Sequence, residues 1–123
     1  MTKHIVIIDD CQVTLTMASD YLTAAGYDVA TAECGVYANH LIYGRQAPDL
    51  ILLDLVLPLM SGEKKARLLK FREKSRHIPI LLMSSRQEEE LQRITAMSGA
   101  NGYITKPFTA VDLVRTVQTH LCS

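Results

Sequence analysis

The feature that most constrains the fold is a set of short apolar runs that each end at polar or charged residues. Such runs lie at 5–8, 50–53 and 79–83. Continuous runs of large apolar residues are typical of strands that are buried on both faces. The residues that follow these runs are Asp9 and Asp10, then Asp54, and then Ser84. This repeated pattern predicts that polar side chains gather where the strands end.

Between these runs, apolar residues recur at helical spacing, and a glycine follows three of the predicted helices: Gly26, Gly44 and Gly99. Helices are predicted at 12–25, 35–43, 63–72, 87–97 and 111–121. Strands are predicted at 5–8, 27–31, 48–54, 79–83 and 102–105. In the predicted second helix, Val36, Ala38 and Leu41 are expected to face the core. Five strands therefore alternate with five helices.

Strict alternation predicts a single α/β domain over residues 1–123, with a five-stranded parallel sheet covered by helices on both faces. The carboxyl ends of parallel strands share one edge of the sheet, where proteins of this class bind their ligands. The side chains expected to converge at that edge are those of Asp9, Asp10, Asp54, Ser84 and Lys106.

Composition narrows the possible partners and the cellular compartment. Lys and Arg together number 13, as do Asp and Glu, so no overall field attracts nucleic acid or an anionic membrane. No apolar stretch approaches the roughly 20 residues of a membrane helix, and the amino terminus does not resemble a signal peptide. The three cysteines, Cys11, Cys34 and Cys122, match no zinc or disulfide pattern. We therefore expect a cytoplasmic protein without membrane or direct nucleic-acid binding.

The predicted cluster of carboxylates suggests phosphoryl chemistry. Carboxylates that are packed together repel, so at least one should have a raised pKa unless a cation compensates. Carboxylates with water and a backbone carbonyl suit Mg²⁺. With the amine of Lys106 and the hydroxyl of Ser84 nearby, Asp54 could attack phosphorus and form an acyl phosphate. Lys106 and the metal would then neutralise charge on the phosphoryl oxygens.

Five signatures occur in order along the chain and carry a resemblance to a known family. They are Ile7-Ile8-Asp9-Asp10, the stretch from Pro48 to Asp54, the trio Pro58, Met60 and Gly62, the stretch from Pro79 to Ser84, and the stretch from Gly99 to Phe108. Together they resemble the receiver domain of two-component response regulators over essentially the whole chain. The resemblance implies a flavodoxin-like, doubly wound sheet with strand order 2-1-3-4-5.

The same resemblance implies a phosphorylation site at Asp54, which would take its phosphoryl group from a histidine kinase or phosphotransfer protein. Asp10, Asp54 and the backbone carbonyl of Val56 would hold Mg²⁺, and Asp9 would act through water. The protein would catalyse only its own phosphorylation and dephosphorylation, so it is not expected to be an enzyme with a separate substrate.

The resemblance also implies a switch. Ser84 would turn its hydroxyl toward the phosphoryl group and Tyr103 would move inward behind it. This motion would reshape the face formed by the fourth helix, fifth strand and fifth helix, where an unknown output protein or a second copy of the chain would dock. Val56 and Arg86 would tune the lifetime of the phosphoryl group, and the peptide bond before Pro107 is a candidate for the cis form.

Alternative interpretations remain open at this point. Asp10 could cap the first helix instead of binding metal. An aspartyl-phosphate phosphohydrolase would need a second carboxylate two residues after the nucleophile, where the chain has Val56. The chain could also be a receiver within a larger regulator or hybrid kinase. The basic residues between Lys64 and Arg76 are interpreted as a solvated face in preference to a nucleic-acid site.

Overall fold

The computed structural model describes residues 2–121. Within that range the chain forms β1 (His4–Ile8), α1 (Gln12–Ala24), β2 (Asp28–Ala32), α2 (Asn39–Ile42), β3 (Leu50–Asp54), α3 (Gly62–Phe71), β4 (Ile80–Ser84), α4 (Glu88–Ser98), β5 (Gly102–Thr105) and α5 (Ala110–Leu121). Strands and helices alternate as the sequence pattern predicts. Cys122 lies outside the described residues.

The strands form one sheet in the order β2-β1-β3-β4-β5, and every neighbouring pair is parallel. The predicted α/β class and strand order are therefore confirmed. In the register between β1 and β3, Ile8 lies opposite Leu53. Asp9 and Asp54 are the next residues along these two strands, so the register places them side by side at the carboxyl edge.

Alternate residues of each central strand pack on opposite faces of the sheet. In β3, Ile51 and Leu53 join the apolar residues of α2, α3 and α4, whereas Leu50 and Leu52 join those of α1 and α5. All four β3 side chains are fully buried. Because both faces are covered, an apolar run without polar interruption is required. Full burial of one such side chain stabilises the fold by about 1.5–3 kcal/mol, and Leu52→Ala would cost about 2–5 kcal/mol.

Helices α1 and α4 follow the predicted spacing and stop signals. In α1, Leu15, Ala18 and Leu22 form the buried stripe toward the sheet. Helix α4 ends at Gly99, which has φ of +82°. A left-handed residue at that position is nearly free of strain only when it is glycine, which explains the stop.

The second helix is shorter than predicted. Residues 35–38 form turns, and α2 covers only Asn39–Ile42, so the prediction of a helix over 35–43 is wrong at its start. Val36, which was expected to face the core, is 41% exposed, whereas Ile42 is buried. Gly35 lies against the side chain of Lys65, whose amine donates to the Asn39 side chain. These contacts connect the turn to α3, and helical periodicity does not reveal them.

Among residues 2–121, no helix is both long enough and apolar enough to cross a bilayer.

Candidate functional site

Three carboxylates meet at the carboxyl edge of the sheet. Asp9 and Asp10 directly follow β1, and Asp54 is the last residue of β3. Each offers a carboxylate oxygen, and these three oxygens lie within 4.8 Å of one another. Asp9 is fully buried and Asp54 is 6% exposed, whereas Asp10 faces solvent. The predicted convergence of acidic groups is therefore present in the structure.

Lys106 compensates the two buried carboxylates. Its Nζ donates to Asp9 Oδ2 at 2.7 Å and to Asp54 Oδ1 at 3.0 Å. The backbone N–H of Lys106 donates to the carbonyl of Ser84 at 2.8 Å, which holds the start of the loop after β5 against the end of β4. The peptide bond between Lys106 and Pro107 is cis, as the resemblance implied.

The electrostatics of the cluster follow from burial and from this compensation. Burial raises the pKa of the Asp54 carboxyl, the hydrogen bond from Lys106 opposes the rise, and the negative charges of Asp9 and Asp10 add to it. Burial would lower the pKa of Lys106, but its hydrogen bonds and charge contacts with Asp9 and Asp54 outweigh burial and raise it. Lys106 therefore stays a cation, and burial keeps the pKa of the Asp54 carboxyl raised although this amine lies beside it.

The chain folds back over Asp54 at the start of α3. Gly62 donates its N–H to the carbonyl of Leu55 at 2.9 Å. A Cβ atom at Gly62 would lie 2.1 Å from the backbone oxygen of Asp54, so only glycine fits there. The intervening loop leaves the side chain of Val56 exposed beside the cleft. The sequence singles out Gly62 only as part of a family signature, and its tight approach to the backbone of Asp54 is apparent only from the structure.

Ser84 and Arg86 border the same cleft from β4. Ser84 is buried at the end of the strand, and its Oγ accepts the backbone N–H of Arg86 at 3.0 Å. The Arg86 guanidinium points along α4 to Glu90 at 3.0 Å. The Ser84 hydroxyl is thus held in a local turn, within the lining of the cleft that contains Asp54.

Tyr103 lies farther along the sheet and contacts α4. Its hydroxyl donates to Glu88 Oε1 at 2.9 Å and accepts from Gln92 Nε2 at 3.1 Å. The ring is partly buried. Tyr103 does not line the carboxylate cleft. This contact depends on how α4 packs on β5, and the sequence pattern does not predict it.

The interpretation of Asp10 as a helix cap does not hold. The residue at the N-cap position of α1 is Cys11, and no side chain caps the helix there. The N–H of Cys11 instead donates to Asp9 Oδ1 at 2.9 Å, which helps to orient that carboxylate. Asp10 is therefore free to act with the other two carboxylates.

The donor set fits a divalent cation. Hard cations such as Mg²⁺ prefer oxygen ligands, usually one or two carboxylates with several waters. Three clustered carboxylates with one neighbouring ammonium leave an excess of negative charge, which a divalent ion would neutralise. The exposure of Asp10 leaves one side of the cluster open to water.

The chain matches known receiver proteins along nearly its whole length. It is 30% identical over 121 residues to the polar-differentiation response regulator DivK of Brucella ovis, covering 98% of both chains. The chemotaxis response regulator CheY4 of Vibrio cholerae has a similar structure, with a TM-score of 0.90, 27% identity, and coverage of 98% of this chain and 100% of CheY4.

A second similar structure contains a metal. The receiver domain of the sensor histidine kinase PA1611 from Pseudomonas aeruginosa, with a magnesium ion coordinated in its active site cleft, aligns with a TM-score of 0.89 and 28% identity over all of both chains. The family model for the response regulator receiver domain matches residues 5–118. With the sheet order and the acidic edge, these matches show that the chain belongs to the response regulator receiver domain family of two-component signalling.

Proposed function

We propose that Asp54 is the phosphoryl acceptor of this receiver domain. The observation that carries the proposal is the contact of Asp54 Oδ1 with Lys106 Nζ at 3.0 Å, inside a cluster of three carboxylates. The donor would be a phosphohistidine on a histidine kinase or a phosphotransfer protein. An O–P bond forms at Asp54 while the P–N bond breaks, and its electron pair stays on the imidazole of the donor.

Each residue around Asp54 would have a distinct role in the phosphoryl transfer. Lys106 holds the Asp54 carboxylate and faces the oxygens of the incoming phosphoryl group, whose charge it offsets. Asp10, Asp54 and the backbone carbonyl of Val56 would hold Mg²⁺, with Asp9 acting through water. When bound, the ion supplies positive charge to the phosphoryl oxygens and aligns donor and acceptor.

Phosphorylation would act on partners through Ser84 and Tyr103. The buried Ser84 hydroxyl would break its hydrogen bond with the backbone N–H of Arg86 and turn toward a phosphoryl oxygen. Tyr103 would break its hydrogen bond to Glu88 and fill the space behind Ser84. This motion would change the surface formed by α4, β5 and α5. An unidentified output protein or a second copy of the chain would bind there.

Val56 and Arg86 would set the lifetime of the phosphoryl group. Val56 is exposed at the mouth of the cleft and has no polar group to orient an attacking water. The Arg86 side chain is engaged with Glu90. We expect a long-lived acyl phosphate, and loss of the phosphoryl group within seconds from purified protein would contradict this role for Val56.

In this proposal the chain is a single regulatory module, 1–123, that works in the cytoplasm and turns over no separate substrate. It would act by changing its protein contacts, without binding nucleic acid directly. The match to DivK covers 98% of both chains, which supports the single-module part of this proposal. A receiver within a larger regulator or hybrid kinase would use the same site.

The decisive experiment is phosphorylation with a small-molecule phosphodonor and Mg²⁺, followed by intact mass measurement. Wild type should gain one phosphoryl group, and Asp54→Asn should gain none. Asp20→Asn, which changes an exposed aspartate of α1, is the matched control and should behave like wild type. An equal mass gain in Asp54→Asn and wild type would remove the assignment of the acceptor.

A further inference from the structure

A basic and aromatic surface lies at the opposite edge of the sheet from Asp54. Helix α3 follows β3 and runs back along the sheet, so its carboxyl end lies far from the acidic cluster. A groove of about 610 Å³ opens there. Its lining, named here the α3-end surface, consists of Tyr43, Phe71, Arg72, Glu73, Lys74 and Arg76. The volume suits a few side chains of a ligand.

The positive charge of the chain is concentrated near this surface. Residues 64–76 contain seven of the thirteen basic residues and only one acidic residue. Three of the seven are engaged within the fold: Lys65 with Asn39, Arg67 with Glu63, and Lys70 with the carbonyls of Arg76 and Ile78. Three others on the α3-end surface are exposed and form no ion pair among residues 2–121: Arg72, Lys74 and Arg76.

Apolar groups lie among these free cations. Phe71 is 83% exposed, more than any other large apolar side chain among the described residues. The guanidinium of Arg72 lies over the ring of Tyr43, 5.5 Å from its centroid. Aromatic rings and arginines that are exposed together are typical of the centre of a binding interface.

The loop that carries the cations is already held in place. Ser75 is fully buried, and its Oγ donates to the carbonyl of Leu69 at 2.7 Å and contacts the Tyr43 hydroxyl at 2.8 Å. Lys70 Nζ donates to the carbonyl of Ile78 at 2.8 Å. A partner would therefore meet an ordered backbone and lose little free energy to ordering it.

We propose that the α3-end surface docks a short acidic segment of a partner protein, with an apolar side chain of that segment resting on Phe71. Charge complementarity identifies the ligand, because Arg72, Lys74 and Arg76 are free to pair with carboxylates. A short segment fits better than a long polyanion. Outside 64–76 the chain carries six basic and twelve acidic residues, so a nucleic acid that extended beyond the groove would meet repulsion.

The site is separate from the phosphorylation cleft, and its test is independent of Asp54. The probe is a short fluorescent peptide of aspartate and glutamate with one central leucine, titrated into the whole chain and followed by anisotropy. Arg76→Glu and Phe71→Ala should each weaken binding about tenfold, as expected for central interface residues. Binding should be the same for Asp54→Asn as for wild type.

The matched control is Arg93→Glu, which makes the same charge change on exposed α4 and should leave the affinity within about twofold. The proposal is overturned if the acidic peptide does not bind, or if Arg93→Glu weakens binding as much as Arg76→Glu. Tighter binding of an oligothymidylate of equal charge would also overturn it, in favour of nucleic acid. The same peptide with asparagine and glutamine in place of the acids should not bind. Circular dichroism of each variant should match wild type.

Discussion

Lys106 donates to Asp9 at 2.7 Å although 97 positions separate the two residues in the sequence. The Asp9 side chain is fully buried, and that of Lys106 is 21% exposed. A buried carboxylate without a partner is costly, so this ion pair is needed for stability as well as for charge balance in the cleft. The cation that would assist phosphoryl transfer thus also makes the acidic edge tolerable in the resting protein.

Removal of Lys106 should therefore destabilise the fold. We expect Lys106→Met to lower the free energy of unfolding by about 2–3 kcal/mol, somewhat below the range for a fully buried pair because water reaches the amine. Urea denaturation in EDTA measures this. Added Mg²⁺ should stabilise Lys106→Met more than wild type, because the ion then replaces the lost positive charge. Lys64→Met, at an exposed position of α3, is the control and should change little.

Asp54→Asn should have the opposite effect on stability in the absence of metal. The pKa of Asp54 is raised above its ordinary 3.8, chiefly by burial. Just above pH 3.8 the folded protein retains a proton that the unfolded chain has released, so stability falls as pH rises through this window. The side-chain amide of the Asp54→Asn variant does not titrate, so this loss of stability is absent. The urea concentration at the midpoint of unfolding should therefore be higher than for wild type at neutral pH. If Asp54→Asn were less stable than wild type in EDTA at neutral pH, burial would not be the dominant influence on this carboxyl.

Gly62→Ala tests the close approach of the chain to Asp54. The new methyl group would lie 2.1 Å from the backbone carbonyl oxygen of Asp54 and 2.8 Å from the Leu55 Cα, so the backbone must move. We expect a loss of about 1–3 kcal/mol of stability and slower phosphorylation, because the loop beside the acceptor shifts. Leu59→Ala alters an exposed residue of the same loop and should affect neither quantity. Unchanged phosphorylation in a folded Gly62→Ala would show that the loop position is unimportant to the transfer.

Much of this architecture follows from local pattern. The runs that end at Asp9, Asp54 and Ser84 predict strands within about two residues of their observed ends, because a strand buried on both faces tolerates few polar side chains. Parallel pairing then brings the strand ends together without further information. The sequence alone therefore predicts the acidic cluster and the proximity of Lys106.

Contacts that depend on how separate elements pack could not be predicted. The turn before α2 packs against the side chain of Lys65 at Gly35, and helical spacing does not encode that contact. Likewise, the hydrogen bond of Tyr103 to Glu88 depends on the placement of α4 against β5. Local propensity is weak in short segments, so tertiary contacts decide the outcome in such places.

Lys65 supplies a prediction about pH. Its side chain is buried between α2 and α3, and burial lowers its pKa from 10.5 to about 8, with a smaller contribution from the positive charge of Arg72. Between about pH 8 and 10.5 the unfolded chain binds more protons than the folded one, so stability rises with pH across this window. Below about pH 8 the buried Lys65 amine is charged, and the full free-energy cost of burying that charge is present. The shift corresponds to a rise of about 3 kcal/mol at most.

Lys65→Met should remove most of that rise, and the part that remains belongs to Lys70, whose pKa burial also lowers. At neutral pH the variant should be more stable than wild type by about 2 kcal/mol, less than the full value because Asn39 loses its hydrogen-bond partner. Urea denaturation at a series of pH values from neutral to strongly alkaline measures both effects. Lys64→Met, the neighbouring exposed lysine, should keep the wild-type pH dependence. If Lys65→Met showed the same rise in stability at alkaline pH as wild type, the rise would belong to another group, because this variant lacks the buried amine of Lys65.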